Sequence, residues 1–260
     1  MRFLLLGGTG QVGEEFRTLA FPRDVEVVAP MRATLELEDP RAIARMIAAE
    51  PWSAVINAAA YTDVDRAESE EGVAFAVNAD VPSRLAAETG CRGIPLVHMS
   101  TDYVFDGRKG APYVEQDEPA PLNVYGRSKL VGERGVQAAN PRHVILRTSW
   151  VYSPYRKNFV GTIVRLAERA RLTVVTDQRG CPTAARDIAT VCLGVAMRCA
   201  GGARASAVWH LSFRRRRRSD LVRICESHPR AGGQSATPIA AGPTDLYPRL
   251  SHARGAPRRH

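Results

Sequence analysis

Three side chains in the middle of the chain could handle one proton together. Thr101 follows an apolar run, IPLVHMS (94–100), and a loop later come Tyr125 and Lys129, spaced i and i+4. A helix sets such a pair one turn apart on one face. The ammonium stabilises the phenolate and lowers the tyrosine pKa from about 10 toward the working range, so the phenol can release and recover a proton in each turnover. The Thr101 hydroxyl, at the end of its strand, would hydrogen-bond the same substrate oxygen. Such a set serves an oxygen whose carbon is gaining or losing a hydride. Tyrosine and lysine four apart are common by chance, so the reading depends on a hydride carrier.

The carrier has a candidate cradle at the start of the chain. Gly7-Gly8-Thr9-Gly10-Gln11-Val12-Gly13 directly follows the short buried strand RFLLLG and opens a helix. Gly7, Gly10 and Gly13 form GxxGxxG, a variant of the dinucleotide fingerprint. Without side chains the backbone can turn tightly and approach a pyrophosphate at the helix N-terminus, where free N–H groups point. A plain tight turn is the competing reading. An acidic residue at the end of the second strand would grip the ribose 2′-OH of NAD. Here DVEVVA (24–29) runs into Pro30-Met31-Arg32 with no carboxylate. Arg32 can instead face a 2′-phosphate, which favours NADPH over NADH; an exposed surface arginine is the alternative. Asn57-Ala58-Ala59-Ala60-Tyr61-Thr62 ends a later strand in small residues, which leave room for a cofactor.

The elements that must hold these residues alternate in type. Strands are expected at 2–7, 24–29, 35–39 (LELED), 53–60, 94–100, 143–148, 172–177 (LTVVTD) and 207–212 (AVWHLS). Helices are expected after the glycine turn, over 40–50 with Pro40 at a first helical position, as one long region from Asp63 to about Gly90, and over NFVGTIVRLAERA. Strands alternating with helices imply an α/β fold with a doubly wound, Rossmann-like parallel sheet. The expected division is a dinucleotide-binding domain over 1–148 with strand 172–177 returning to its sheet, substrate-lobe elements over 149–171 and 178–212, and an Arg-rich, irregular tail over 213–260.

Composition narrows the class of protein. The chain has 260 residues, 45% apolar and 24% charged, ordinary for a soluble globular protein. MRFLLL is too short for a signal segment and no apolar run approaches the ~20 residues of a membrane span, so the chain reads as cytoplasmic with no membrane partner. Five scattered cysteines, Cys91, Cys181, Cys192, Cys199 and Cys225, never form CxxC and read as reduced thiols rather than a zinc site. The net charge is +9. Residues 1–200 carry 24 Lys+Arg and 24 Asp+Glu, whereas residues 201–260 carry 12 Arg against Asp220, Glu226 and Asp245, and 12 − 3 = +9. The excess belongs to the tail and not to a nucleic-acid face on the folded body.

LLLGGTGQVGEE, VINAAAYTDVDRAE, VHMSTDYVFDG, PLNVYGRSKLVGE, RTSWVY and DQRGCPT, spread over residues 3–183, together resemble the dTDP-4-dehydrorhamnose reductases, a family of extended short-chain reductases. The resemblance covers about two-thirds of the chain. It implies Thr101, Tyr125 and Lys129 as the catalytic set, with Lys129 also on the nicotinamide ribose. It places the glycine loop with Gln11 and Val12 at the pyrophosphate, Glu36 and Leu37 near the adenine, and Ala60, Tyr61 and Thr62 along the cofactor channel. Thr101, Asp102 and Trp150 would touch the sugar nucleotide. The implied reaction is reduction of the C4 ketone of dTDP-4-dehydro-L-rhamnose.

The chain also departs from that family. Some members bind Mg²⁺ through glutamates at a dimer contact; Glu15 matches one such position, but Arg186 replaces another and the late C-terminal one is absent. A homodimer is compatible with the resemblance, but a metal-bridged one is not supported. The YPTPAxRP-like segment that helps build the family's small C-terminal substrate lobe is represented only by DLYPRLSHARGAPRRH, so that lobe is expected to be incomplete. A reading-frame slip near Phe213 would explain both RRRRR (214–218) and the lost pattern, since GGC read one base out of step is an arginine codon. A second function from another class is the regulatory beta subunit of methionine adenosyltransferase, which shares the STDYVF-like strand and the Tyr/Lys helix. It resembles RIPILYG where this chain has RTSWVY, and Trp150 therefore favours the reductase.

Overall fold

Most of the apolar runs become strands that lie side by side, all pointing the same way. The computed structural model describes residues 1–31, 36–166, 179–202, 209–212 and 219–220. In chain order the first half holds β1 (Arg2–Leu6), α1 (Gln11–Phe16), β2 (Glu26–Val28), α2 (Pro40–Ala48), β3 (Ala54–Asn57), α3 (Val64–Ala67), α4 (Glu71–Phe75), a π-helical turn (Ala76–Asp80), α5 (Val81–Gly90) and β4 (Leu96–Thr101). A 3₁₀ turn (Asp102–Val104) leads on to α6 (Val124–Ala139), β5 (His143–Thr148), β6 (Val151–Tyr152), α7 (Phe159–Leu166), β7 (Arg179–Gly180), β8 (Thr183–Ala184), α8 (Ala185–Ala200), β9 (Trp209–Ser212) and β10 (Ser219–Asp220).

The main sheet has six strands in the order β2-β1-β3-β4-β5-β9, and every pairing in it is parallel. Parallel strands need helical crossovers, which cover both faces. Successive residues of β1 serve opposite faces. Phe3 and Leu5 join Val97, Leu146, α1 and α8 on one side, and Leu4 and Leu6 join Val55, Ile145, α2, α5 and α6 on the other. Each such Leu or Phe contributes roughly 1.5–3 kcal/mol by leaving water. The strand order reverses at β1, which opens a crevice at the carboxyl ends of β1 and β3, the place where such sheets bind ligands.

Three local expectations change. Residues 36–39 of LELED form a turn, with Asp39 N bonded to Glu36 O at 3.2 Å, and not a strand. Asp39 is needed as the N-cap of α2, where its side chain accepts from Arg41 N, and Pro40 follows at the first helical position. The single helix expected over 63–90 is three helices and a π turn. Pro82 has no N–H to offer the Asn78 carbonyl four residues back, so the backbone widens before it. The Asn78 carbonyl faces Gly132 of α6 so closely that a side chain there would collide with it.

The third change concerns the stretch 178–212, expected in the substrate lobe. Its helix α8 lies on the main sheet beside α1, because Ile188, Ala189, Cys192, Ala196 and Cys199 form an apolar stripe that packs on Phe3, Leu5 and Val97. Its strand β9 pairs with β5 and extends the sheet. Of the tail, Ser219 and Asp220 pair antiparallel with β7. The strand expected at 172–177, the arginine run at 214–218 and residues 221–260 lie outside the described residues. Among the described residues no helix is long and apolar enough to cross a membrane.

Candidate active site

The glycine loop is shaped as a close-approach surface. Gly7 has φ +81°, and a Cβ there would lie 2.6 Å from the Ala58 carbonyl carbon and the Ala59 nitrogen. The loop is thus pressed against the end of β3, as only glycine allows. Gly10 N bonds to Gly7 O at 2.9 Å, and Gly10 is the N-cap of α1 without a side chain to occupy the first-turn N–H groups. At Gly10 and Gly13 the turn therefore consists of backbone alone. The Gln11 side chain is engaged elsewhere. Its Oε1 accepts from Ser153 Oγ at 3.0 Å and from Asn158 Nδ2 at 3.1 Å, and its Nε2 reaches Val151 O at 3.5 Å. Arg156 fastens the same segment to the loop, with Nε donating to Thr9 O at 2.8 Å. A groove of about 660 Å³ beside this strap is lined by Glu15, Lys157 and Arg165 among others, but by none of Thr101, Tyr125 and Lys129.

α6, which carries Tyr125 and Lys129, docks on the end of β4. Asn123 caps the helix, its Oδ1 accepting from Gly126 N at 2.7 Å, and Glu68 accepts from Val124 N at 2.8 Å. Gly126 lets the helix approach, because a Cβ there would collide with the Tyr103 carbonyl oxygen. Lys129 Nζ donates to Met99 O at 2.6 Å, two residues before Thr101 in β4. The Tyr103 ring meets the Tyr125 ring edge-on at 5.4 Å. Thr101 Oγ1 donates to Asp102 Oδ1 at 3.3 Å and accepts from Tyr103 N at 3.2 Å, closing the turn after β4. Thr101, Tyr125 and Lys129 are all buried. Burial lowers the Lys129 ammonium to about 8, opposed by the charge of Glu133.

The segment after β3 is fixed by an asparagine that sequence reasoning missed. Asn78 Oδ1 accepts from Tyr61 N at 2.9 Å, and Nδ2 donates to Tyr61 O at 3.0 Å and to Ser128 Oγ at 3.1 Å. Ser128 Oγ in turn donates to Tyr125 O at 2.8 Å. One buried amide therefore ties the Ala60-Tyr61-Thr62 strand end to the helix of Tyr125. The available signal was an asparagine four residues ahead of a helical proline, in a turn of the kind enriched at functional sites. The Tyr61 hydroxyl donates to Glu70 Oε2 at 2.7 Å, and burial together with that carboxylate pushes its phenol up. Asn57 Oδ1 accepts from Ala59 N, and its Nδ2 donates to His98 Nδ1 at 3.1 Å. Burial, then the Lys129 charge, holds His98 well below the ordinary histidine range.

Trp150 follows β5 with φ 47°, a conformation a bulky residue adopts only when its surroundings impose it. A Cβ on Gly180 would lie 2.6 Å from indole Cε2, so the bare backbone of Gly180 packs flat on the ring. Thr183 N donates to Trp150 O at 3.2 Å, and Ser149 Oγ donates to Cys181 O at 3.0 Å. The RGCPT stretch thus holds Trp150 from behind, a role for Gly180 that spacing alone did not reveal.

The remaining expected residues scatter around this centre. Glu36 is exposed, and Leu37 packs half-buried against the apolar cluster of β1 and α2. Arg32 lies outside the described residues. Glu15 is buried on α1, with Thr18 Oγ1 donating to its Oε2 at 3.4 Å and Arg186 Nη1 at 4.0 Å.

A doubly wound parallel sheet whose strand ends hold a glycine loop and a Tyr/Lys helix is the plan of the extended short-chain dehydrogenases/reductases, and that is the class of this chain. Residues 1–237 match the family model described as the RmlD substrate binding domain, and the chain belongs to that family. It is 45% identical over 215 residues to the dTDP-4-dehydrorhamnose reductase of Sinorhizobium fredii, a match covering 82% of this chain and 72% of that one. The solved dTDP-4-dehydrorhamnose reductase of Clostridium acetobutylicum has a TM-score of 0.87 at 32% identity, over 100% of this chain and 89% of that one. The corresponding enzyme of Bacillus anthracis, solved in complex with NADP, has a TM-score of 0.80 at 30% identity, over 86% of this chain and 78% of that one.

Proposed function

We propose that the chain reduces the C4 ketone of dTDP-4-dehydro-L-rhamnose to the hydroxyl of dTDP-L-rhamnose, using NADPH in preference to NADH. The observation that carries this reading is the docking of α6 on β4 through Lys129 Nζ and Met99 O, with the Tyr125 ring edge-on to Tyr103, whose N–H donates to Thr101 Oγ1. The glycine loop supports a dinucleotide reading, since Gly7 presses on Ala58 and Ala59 and Gly13 on Gly7 and Gly8, a close backbone packing that side chains would break. Gly7, Gly10, Gln11, Val12 and Gly13 take the pyrophosphate on their backbone, Glu36 and Leu37 flank the adenine, and Ala60, Tyr61 and Thr62 line the channel, while the charge of Arg32, outside the described residues, is assigned to the 2′-phosphate. When bound, the reduced nicotinamide supplies the hydride to C4. Tyr125 gives its phenolic proton to the C4 oxygen and Thr101 hydrogen-bonds that oxygen. Lys129 holds the resulting phenolate with its charge and binds the nicotinamide ribose, while Asp102 and Trp150 seat the sugar nucleotide.

A divalent cation at Glu15 does not fit this chain, because the Arg186 guanidinium already stands beside that carboxylate and would repel the ion. The mechanism uses no metal step. The test is a cofactor-oxidation assay of the full 260-residue chain with dTDP-4-dehydro-L-rhamnose. Sugar-dependent loss of reduced cofactor is expected. A chain that binds the cofactor yet oxidises none on adding the sugar would overturn the reading.

A further inference from the structure

Tyr125 and Lys129 are the upper two members of a buried column on α6 whose third member is Glu133, again one turn on. The residues are 9%, 2% and 1% exposed. Among the described residues the buried carboxylates are Glu133 and Glu15, and Glu15 sits far away in sequence on α1. A carboxylate this dry keeps its charge only with a partner, and β5 supplies one. Arg147 Nε donates to Glu133 Oε1 at 2.9 Å and Nη2 to Oε2 at 2.6 Å, while the guanidinium lies 4.9 Å from the centre of the Phe105 ring.

Stability alone is a poor reason for this pair. Buried ion pairs often do no better than apolar side chains of the same volume, because both ions lose their hydration. Here the balance is worse still, since Arg147 Nη1 is buried without a hydrogen-bond partner among the described residues. What the pair does have is position. Met99, whose carbonyl receives the Lys129 ammonium, is paired across the sheet with Leu146, next to Arg147.

We propose that Glu133, gripped by Arg147, is a positioning residue for proton transfer: its carboxylate keeps the buried Lys129 side chain cationic and aligned beneath Tyr125. The proposal rests on the reading of Tyr125 and Lys129 as the proton-transfer pair. Lys129 has few other charged or titratable neighbours. Tyr125 is on its own helix, and His98 on β4 is neutral by burial. Arg147 on β5 has its charge matched by Glu133. From α3 and α4 come Glu68, which accepts from Val124 N, and Glu71, 3.7 Å from Arg127 Nη2; both are exposed and screened. Burial strips the ammonium of stabilisation, and Glu133 opposes that loss.

Lysine titration by NMR tests this directly, because the full chain has three lysines, Lys109, Lys129 and Lys157. With ¹³C-labelled lysine and neither cofactor nor substrate, the parent Lys129 signal should titrate near 8. Glu133→Gln should move its midpoint down by about one unit or more, and Arg147→Met, which removes the partner that keeps the carboxylate charged, should move it down as well. Arg147→Lys, which keeps both charges, should leave it within roughly half a unit of the parent. If Glu133→Gln does not fold, Arg147→Met and Arg147→Lys carry the test. Midpoints that stay put in every folded variant, or that rise in Glu133→Gln or in Arg147→Met, overturn the proposal. In the working enzyme the alkaline limb of kcat/KM must follow the Lys129 midpoint, and a limb that stays while the midpoint moves also overturns it. Failure of the sugar assay would leave the titration readable, so the two readings fail separately.

Discussion

The Lys129 ammonium donates 2.6 Å to the backbone carbonyl oxygen of Met99, at a place where 2% of the lysine meets solvent. That bond joins the middle of α6 to the end of β4 and puts a charge where water is scarce. Interactions of that charge with Tyr125 are strong for the same reason that the charge itself is costly.

Tyr125→Phe keeps the ring and its edge-on contact with Tyr103 but removes the proton. Turnover should fall by about 10²–10⁴-fold while cofactor affinity stays near the parent's. Steady-state rates and a cofactor-fluorescence titration measure both, and equal turnover would remove Tyr125 from the mechanism.

Lys129 also makes stability depend on pH. Its folded value of about 8 lies below the unfolded one, so between the two the unfolded chain binds the extra proton and stability rises with pH; below about 8 the full cost of the buried charge is present. Lys129→Met should therefore be more stable than the parent at neutral pH, by on the order of 3 kcal/mol, with the gap closing toward pH ~10. Denaturant melts of both proteins across that interval decide the matter; a gap that does not narrow counts against a charged buried lysine.

Gly180→Ala places a methyl against the Trp150 indole and should displace it. Overpacking of this kind costs about 1–3 kcal/mol. If Trp150 seats the sugar nucleotide, KM for the sugar should rise roughly tenfold or more with cofactor binding unchanged. An unaltered KM would take Trp150 out of the substrate site.

Gln11→Ala separates two roles for one residue. With the side chain bonded to Ser153 and Asn158, its loss should lower stability by roughly 1–2 kcal/mol. Cofactor Kd should change by no more than about twofold, since the backbone does the binding. A large loss of cofactor affinity at unchanged stability would return the side chain to the pyrophosphate.

Arg32→Ala should lower the preference for NADPH over NADH by roughly tenfold, as expected for a charge-assisted contact to a phosphate. Titrating both cofactors against parent and variant measures it, and an unmoved ratio removes the argument.

Much of the molecule was legible from residue order alone. The apolar runs RFLLL, AVIN and HVILRT could only be buried strands, and their alternation with helices required a parallel sheet. The glycine turn after β1 and the four-residue spacing of Tyr125 and Lys129 are local features, and local features survive folding. Capping likewise read correctly at Pro40, though the residues before it turned instead of extending because Asp39 was needed as the cap.

Tertiary structure decided whatever depends on distant partners. Asn78 holds Tyr61 and Ser128, 17 and 50 residues away, through one amide, and its place ahead of Pro82 does not say which partners it takes. Gln11 meets Ser153 and Asn158 across 142 and 147 residues, which makes its side chain a clasp beside the loop backbone. Glu133 and Arg147 are buried together by folding, at 1% and 3% exposure, which no local feature of the chain around either one requires. The sequence determined which groups could do proton chemistry. Burial, which is a property of the packed whole, decided how much each charge is felt and which backbone atom Lys129 is held against.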